Sequence, residues 1–155
     1  MKACCGFGHR IVLANIDDSL YAAVIKAADA GFDIFYTGAM GEFDTLFSSA
    51  VRKAKIIYPQ IKLVCVKPYF TNDLNTNKEY YCSLYDDIII PPEVIGIHYK
   101  AAIKARNLWM VDHSDLIISY VIRSYGGVAQ AVRYACNQGK QIINLGESES
   151  ACCCL

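Results

Sequence analysis

Three short segments carry residue types suited to holding an anion: "GFGHR" at 6–10, "GAMGEFD" at 38–44 and "YGGV" at 125–128. A glycine just ahead of a helix lets backbone amides approach a ligand closely. The helix start behind it presents unpaired N–H groups and a partial positive charge. Gly6, Gly8, Gly38, Gly41, Gly126 and Gly127 are therefore candidate pocket residues, together with Ala39, Met40 and Val128 beside them. Arg10 adds a guanidinium able to fork onto a phosphate. His9 is either a hydrogen-bond donor or a plain loop residue, and spacing alone does not separate the two. Glu42 and Asp44 can act as catalytic carboxylates if they project into the pocket. Their place in a first helical turn is equally explained by the helix dipole.

The glycine segments do not match the two familiar phosphate motifs. "GFGHRI" has Ile11 where the dinucleotide fingerprint needs its third glycine, and no G-K-[ST] occurs in the chain. Hydride transfer and Walker-type nucleotide hydrolysis lose support, and no cofactor is expected. The eight cysteines do not suggest a metal either: Cys4 and Cys5 are adjacent, Cys152 to Cys154 are contiguous, and no C-x-x-C pair is present. Cys5, Cys65 and Cys136 are expected as reduced thiols packed like small apolar groups. His98 and His113 have no partner at metal spacing.

These candidates need elements to position them, and the chain supplies a regular order of short apolar run, polar or glycine punctuation, and helical periodicity. A strand begins at 2–5 and is left through "GFGHR". "DDSLYAAVIKAADAG" reads as a helix with Asp17 or Asp18 at its start and Gly31 at its end. "FDIFYTG" is a buried strand, "GEFDTLFSSAVRKAKIIY" an amphipathic helix stopped before Pro59, and "IKLVCVKPYF" a third strand. Residues 69–86 interrupt the rhythm as a tyrosine-rich loop with one or two helical turns. A short "DIII" strand, a helix from His98 to His113, the strand "DLIISYVI", a helix through "GGVAQAVRYACNQG" and the strand "KQIINL" complete the chain. Short, almost wholly apolar strands separated by helices form a parallel sheet covered on both faces. In such α/β sheets, ligands bind at the carboxyl ends of the strands, where all three glycine segments fall.

At 155 residues one core is expected. Fifteen basic and fifteen acidic residues cancel, so no overall field is available to hold a phosphate backbone, and general nucleic-acid binding is not expected. No apolar run approaches the ~20 residues of a membrane span, and "MKACCGFGHR" lacks the apolar stretch of a secretory signal. A cytoplasmic protein without membrane contact is the expectation.

"GHR" after the first strand, "GAMGEFDTLFSSAVRKAKIIYPQIKLVCVKPY", and "ARNLWMVDHSDLIISY" followed by "GGVAQAVRYA" together resemble the SLOG superfamily, in its branch of small single-domain bacterial and phage-borne proteins. The likeness covers nearly the whole chain. It implies a Rossmann-like, doubly wound and mostly parallel sheet of five to six strands with helices on both faces. It further implies one domain over 1–147 and a flexible cysteine-rich tail over 148–155. The superfamily includes the LOG phosphoribohydrolases, the DNA-processing protein DprA and ligand-sensing domains of antiviral systems. The resemblance therefore implies a pocket for a nucleotide or nucleotide-derived molecule such as an ADP-ribose derivative, serving as sensor or sequestering module, in a homo-oligomer such as a dimer or tetramer.

The LOG motif R-K-x-x-M corresponds to Arg106, Asn107 and Met110, which implies Arg106 as a phosphate or ribose contact; Arg106→Ala is then expected to abolish the thermal shift caused by a ligand and to leave the fold intact. The P-G-G-x-G-T-x-x-E motif corresponds to residues 125–133. Its glycine pair survives as Gly126 and Gly127, whereas its threonine falls on Gln130 and its catalytic glutamate on Arg133. Cleavage of an N-glycosidic bond builds positive charge on the ribose, which a carboxylate stabilises and a guanidinium opposes. Binding without hydrolysis is the first expectation, and a LOG-type glycosidase using Glu42 or Asp44 is the alternative. Tyr120, near the end of the central strand, either stacks on a base or packs in the core. Asp112 and Asp115 are further candidates for a ribose hydroxyl.

Overall fold

A computed structural model describes residues 1–146; the tail expected over 148–155 lies outside the described residues. Six strands form one sheet: β1 (Lys2–Gly8), β2 (Phe32–Thr37), β3 (Lys62–Val66), β4 (Asp87–Ile89), β5 (Leu116–Tyr120) and β6 (Gln141–Asn144). Their order is β4-β3-β2-β1-β5-β6 and every pairing is parallel. The connecting helices are α1 (Asp17–Asp29), α2 (Glu42–Ala54), the short α3 (Asp73–Thr76) and α4 (Lys78–Leu84), α5 (Tyr99–Asp112) and α6 (Gly127–Asn137). This is the doubly wound α/β architecture with a Rossmann-like sheet. The chain winds outward from β1 to β4, then crosses back to build β5 and β6 on the other side, which puts the switch in strand order between β1 and β5.

The alternation along β1 shows how the two faces are filled. Cys4 belongs to the cluster covered by α1 and α2, whereas Cys5 and Phe7 belong to the cluster covered by α5 and α6. Successive strand residues point to opposite faces, so Gly6 and Gly8 share the Cys4 face. There they meet α2. A Cβ on Gly6 would lie 2.8 Å from the ring of Phe47, and one on Gly8 only 2.0 Å from that of Phe43. The glycines are thus part of β1 and form the floor on which two buried, mutually stacked phenylalanines rest. Burying such a ring contributes roughly 1.5–3 kcal/mol, and neither ring could sit there over a larger residue.

The strand therefore extends past the predicted boundary at residue 5 through both glycines. Helix α1 also differs from the expected start: Ile16 occupies the cap position with no side-chain cap, and Asp17 and Asp18 lie inside the first turn. Its end is as expected, with Gly31 at φ +88°. Cys4, Cys5 and Cys65 are buried free thiols. Cys136 departs from the expectation of a reduced thiol, being disulfide-bonded. No helix among the described residues is long and apolar enough to cross a membrane.

Candidate functional site

At the carboxyl ends of β1 and β5 lies a cleft of about 340 Å³. Its wall combines the exit of β1 (Gly6 to Ile11), the β2–α2 loop (Gly38, Met40, Gly41 and Asp44), one face of α5 (Ile103, Arg106 and Asn107) and the approach to α6 (Arg123 and Tyr125 to Val128). Most of the predicted pocket residues are thereby brought together from four separate stretches of sequence.

The three glycine segments contribute in different ways. Helix α6 is preceded at its cap position by Gly126 at φ +97°, a backbone angle that favours glycine, and no side chain caps the helix. The amides of Gly127, Val128 and Ala129 have no acceptor among the described residues, and a Cβ built on Gly127 meets nothing within 4 Å. This helix end is open toward the cleft and presents free donors with the positive end of an 11-residue dipole. The start of α2 is spent internally. Glu42 N–H donates to the Arg10 carbonyl at 3.0 Å, Phe43 N–H to that of His9 at 3.4 Å, and Gly41 lets the two loops meet, since its Cβ would lie 2.9 Å from Arg10 Cα. Helix α1 starts only at Asp17, and none of its residues lines the cleft. Of three expected helix termini, one is available to an anion.

Arg106 is 3% exposed, so little of its guanidinium is free. Nη1 donates to the Gly38 carbonyl at 3.1 Å and the Val66 carbonyl at 2.7 Å, Nε donates to Asn107 Oδ1 at 2.9 Å, and Nη2 contacts Met40 Sδ at 3.1 Å. Four of its five N–H donors have partners, and one on Nη2 is left over. Gly38 makes the room, because a Cβ there would lie 2.9 Å from Nη1. From α5, Arg106 ties together the chain leaving β2 and the end of β3. Burial lowers its pKa and Asp44 opposes that shift, yet guanidinium remains cationic at any ordinary pH. The neighbouring Ala39 takes φ +54°, the one non-glycine residue with positive φ among those described. Its N–H donates to Thr37 Oγ1 at 3.3 Å, and Ala39 does not line the cleft.

Of the two candidate carboxylates, Asp44 alone faces the cleft. Its Oδ2 accepts from Met40 N–H at 2.9 Å. Burial pushes its pKa from 3.8 up to about 6, against the lowering effects of that amide and of Arg106. Glu42 turns instead to the β1–α1 loop, where Oε2 accepts from Val12 N–H at 2.7 Å. Tyr120 is 3% exposed and packs edge to face against His9 with ring centroids 6.0 Å apart, so it supports the cleft from within the core. His9 lines the cleft while its Nε2 accepts from Ile122 N–H at 3.1 Å. That bond fixes the proton on Nδ1. Burial, with Arg123 adding to it, lowers the pKa and keeps the ring neutral.

The loop from Val121 to Gly126 is pinned from below. The Asn144 amide brackets Val121, accepting from its N–H at 3.0 Å and donating to its carbonyl at 3.1 Å. Arg133 donates to the Ser124 carbonyl at 2.8 Å. The residue at the glutamate position of the hydrolase motif thus braces the loop that leads into α6. Asp112 accepts from Tyr134 Oη, and Asp115 sits ahead of β5 at the opposite edge of the sheet, bonded to Ala3. Neither belongs to the cleft. Arg123, Tyr125 and Ile103 line it without having been singled out from the sequence. Arg123 was discoverable as a cation in the segment between a strand and a glycine pair, and Ile103 by its i−3 spacing from Arg106.

Arg10, Arg106 and Arg123 line the cleft against Asp44, the single carboxylate on it among the described residues. Arg123 lies over the Tyr125 ring at 5.1 Å, which holds an exposed cation at the rim. The arrangement suits an anion with an attached flat or apolar portion. Among the described residues no group of three or more His, Cys, Asp or Glu side chains is placed to hold a metal ion.

No protein-family model and no curated protein sequence matches the chain. Solved structures of the same fold do. DNA processing protein A from Streptococcus pneumoniae superposes with a TM-score of 0.66 at 15% identity, over 96% of this chain and 51% of that one. The Helicobacter pylori protein of that name, whose single-stranded DNA binding mode has been determined, gives 0.66 and 15% over 96% of this chain and 66% of its own. The molybdenum cofactor carrier protein of Chlamydomonas reinhardtii gives 0.60 and 14% over 97% and 79%. The chain therefore spans about half of the first protein and two thirds of the second.

These neighbours correct the expectation that nucleic acid is excluded. The Helicobacter protein, two thirds of which this chain superposes on, binds single-stranded DNA. The inference from net charge fails because a sum over the whole surface is insensitive to where cations gather, and short-range phosphate contacts depend only on the local set.

Proposed function

We propose that the chain is a SLOG-type binding module that takes a phosphate-bearing nucleotide or nucleotide-derived ligand in the cleft between β1 and β5, as a sensor or sequestering protein. The observation that carries this reading is the uncapped start of α6, with the unpaired amides of Gly127 and Val128 and open space over Gly127, facing a cleft lined by three arginines. The phosphate sits on the α6 amides with Arg123 and Arg10 beside it, and the base or sugar lies toward Ile103 and Met40. The Nδ1–H of His9 and the remaining Nη2 donor of Arg106 serve as further contacts. The site lies at the switch in strand order, where open α/β sheets hold their ligands.

The test is equilibrium titration by calorimetry with AMP, ADP-ribose and adenosine. Binding of the two phosphates at least tenfold tighter than adenosine, weakened in Arg123→Gln and Gly127→Ala, is the expected result. Equal binding of adenosine and AMP overturns the reading.

A second reading, N-glycosidic hydrolysis, is favoured by one observation: Asp44 places a carboxyl with a pKa of about 6 in the cleft wall. That value suits a group that must exchange a proton near neutral pH. Release of free adenine from AMP, lost in Asp44→Asn, supports it; intact AMP after prolonged incubation removes it.

A further inference from the structure

One side chain joins the exits of the two strands that border the cleft. His9 follows the end of β1 and reaches across to the chain leaving β5, where its Nε2 accepts from Ile122 N–H at 3.1 Å, a bond between residues 113 positions apart. Its backbone is anchored separately, because its carbonyl accepts from Phe43 N–H of α2. The residue is 4% exposed and its ring lies against Tyr120 with the two planes at 80°, so packing sets the plane of the imidazole. Among the described residues Nδ1 makes no bond.

The segment on the far side of that bond has few other ties. Val121 is held by the Asn144 amide and Ser124 by Arg133, and between them Ile122 and Arg123 are exposed. The Ile122 amide has His9 as its acceptor. Burial, and after it the charge of Arg123, holds the ring below its ordinary pKa of 6.5. The other charged groups on the surrounding elements have partners of their own. On α2, Glu42 accepts from Val12 N–H and Asp44 from Met40 N–H; on α5, Arg106 donates to the Gly38 and Val66 carbonyls; on α6, Arg133 donates to Ser124. Arg10, next in the chain, is exposed.

A second proton on the ring changes both relations. An imidazolium has a donor on each nitrogen, so Nε2–H faces the Ile122 N–H with no acceptor between them, and the new charge repels Arg123. We infer that His9 is a positioning residue of the cleft that works as an acid-sensitive latch: neutral, it holds Ile122 and Arg123 to the exit of β1, and with both nitrogens protonated it lets go, so that Arg123 leaves the cleft wall. The latch belongs to the empty protein. Its failure leaves the reading of the cleft untouched, and failure of that reading leaves the latch. Because the fold favours the neutral ring, the latch holds above pH 6.5 and opens as pH falls through the lower value that the fold imposes.

The test is amide exchange at Ile122, followed by NMR from about pH 7.5 to about pH 5 and corrected for the intrinsic exchange rate, with the ring nitrogens of His9 observed in the same samples. The expected result is a neutral ring protonated at Nδ1, and protection of Ile122 that falls about tenfold as the ring takes its second proton. Val121, whose N–H donates to Asn144, keeps its protection. His9→Gln puts an amide oxygen in place of Nε2 and has nothing to titrate, so its Ile122 protection is expected to stay level. Asp44, with a pKa of about 6, titrates in the same window, so Asp44→Asn is the control and is expected to keep the parent profile. A neutral ring protonated at Nε2, level protection in the parent protein, a fall that persists in His9→Gln, or one that disappears in Asp44→Asn overturns the latch. If His9→Gln does not fold, the parent protein decides: an Ile122 transition whose midpoint does not coincide with that of the His9 ring overturns the latch as well.

Discussion

Replacing Arg106 with methionine separates its two duties. The substitution keeps much of the side-chain length and removes every donor. Two buried carbonyls, of Gly38 and Val66, then lose the partner they hold at 3.1 and 2.7 Å. A buried acceptor left unpaired costs about 1–3 kcal/mol, or about 2–6 kcal/mol for the pair. Removing a desolvated cation returns part of that, because burial works against the charged form here. The net loss is about 3 kcal/mol. For a chain of this length the melting temperature then falls by about 6–12 °C, read by differential scanning fluorimetry and checked against the guanidinium midpoint. Arg123→Gln is the matched control: the same side-chain type on the same cleft, exposed at the rim, with a cost within about 0.5 kcal/mol. Arg106→Met melting within 1–2 °C (roughly half a kcal/mol) of the parent protein refutes the assignment of Arg106 as a tie between β2 and β3. In that case the arginine serves the ligand alone, as the sequence motif by itself implied.

Further outcomes follow from the same geometry. Gly8→Ala drives a methyl into Phe43, where 2.0 Å is available, and is expected to destabilise the fold by about 1–3 kcal/mol, with partial coupling to Phe43→Ala, which removes the clashing Cγ and Cδ1, in a double-mutant cycle. Gly127→Ala meets nothing within 4 Å, so its denaturation midpoint stays at the parent value while phosphate affinity measured by calorimetry drops. For Asp44 the folded-state pKa is raised, so its contribution to stability is complete below its ordinary 3.8 and is lost as pH rises to about 6. Urea titrations across pH 4 to 7 should therefore show the parent protein losing stability relative to Asp44→Asn over that interval and running parallel to it above. Arg133→Glu restores the carboxylate of the hydrolase motif but removes the bond to Ser124; slower tryptic cleavage after Arg123 in the variant than in the parent would contradict the bracing role.

The fold was readable because its signals are local and repeated. Each strand is a short apolar run, each major helix has a periodic stripe, and Gly31 marks an exit with φ +88°. Right-handed crossovers make the sheet parallel and cover both faces, while the order β4-β3-β2-β1-β5-β6 came from the structure. The positions of Arg106, Asn107 and the glycine pair on the cleft could also be anticipated, since elements that alternate around one sheet bring their carboxyl-end loops together. What each glycine does there was hidden. Gly6 and Gly8 accommodate phenylalanines some 40 positions away, Gly38 accommodates an arginine 68 positions away, and Gly126 and Gly127 face open space. A sequence reports the absence of a Cβ but not what fills the gap, because the filling side chain comes from another element.

Charge misled for the same reason. Zero net charge reports a sum, and the sum is compatible with an even scatter or with three arginines lining one cleft beside a single carboxylate among the described residues. The balancing acids lie elsewhere: Asp17 and Asp18 in the first turn of α1, Asp29 against Tyr58, Asp73 held by Thr71 and Tyr81, and Asp86 paired with Lys55. Each of these acids is occupied by a local partner or a helix end, so among the described residues the cations at the carboxyl ends of β1 and β5 face competition from within the cleft at Asp44 alone. Because Asp44 has a pKa of about 6, its proton adjusts even that balance: an anion arriving near the arginines disfavours the carboxylate and draws a proton onto it. Ligand binding should consequently take up protons between about pH 6 and 7, measurable as a buffer-dependent heat in calorimetry. A heat independent of buffer ionisation enthalpy would place the anion too far from Asp44 to share the cleft with it.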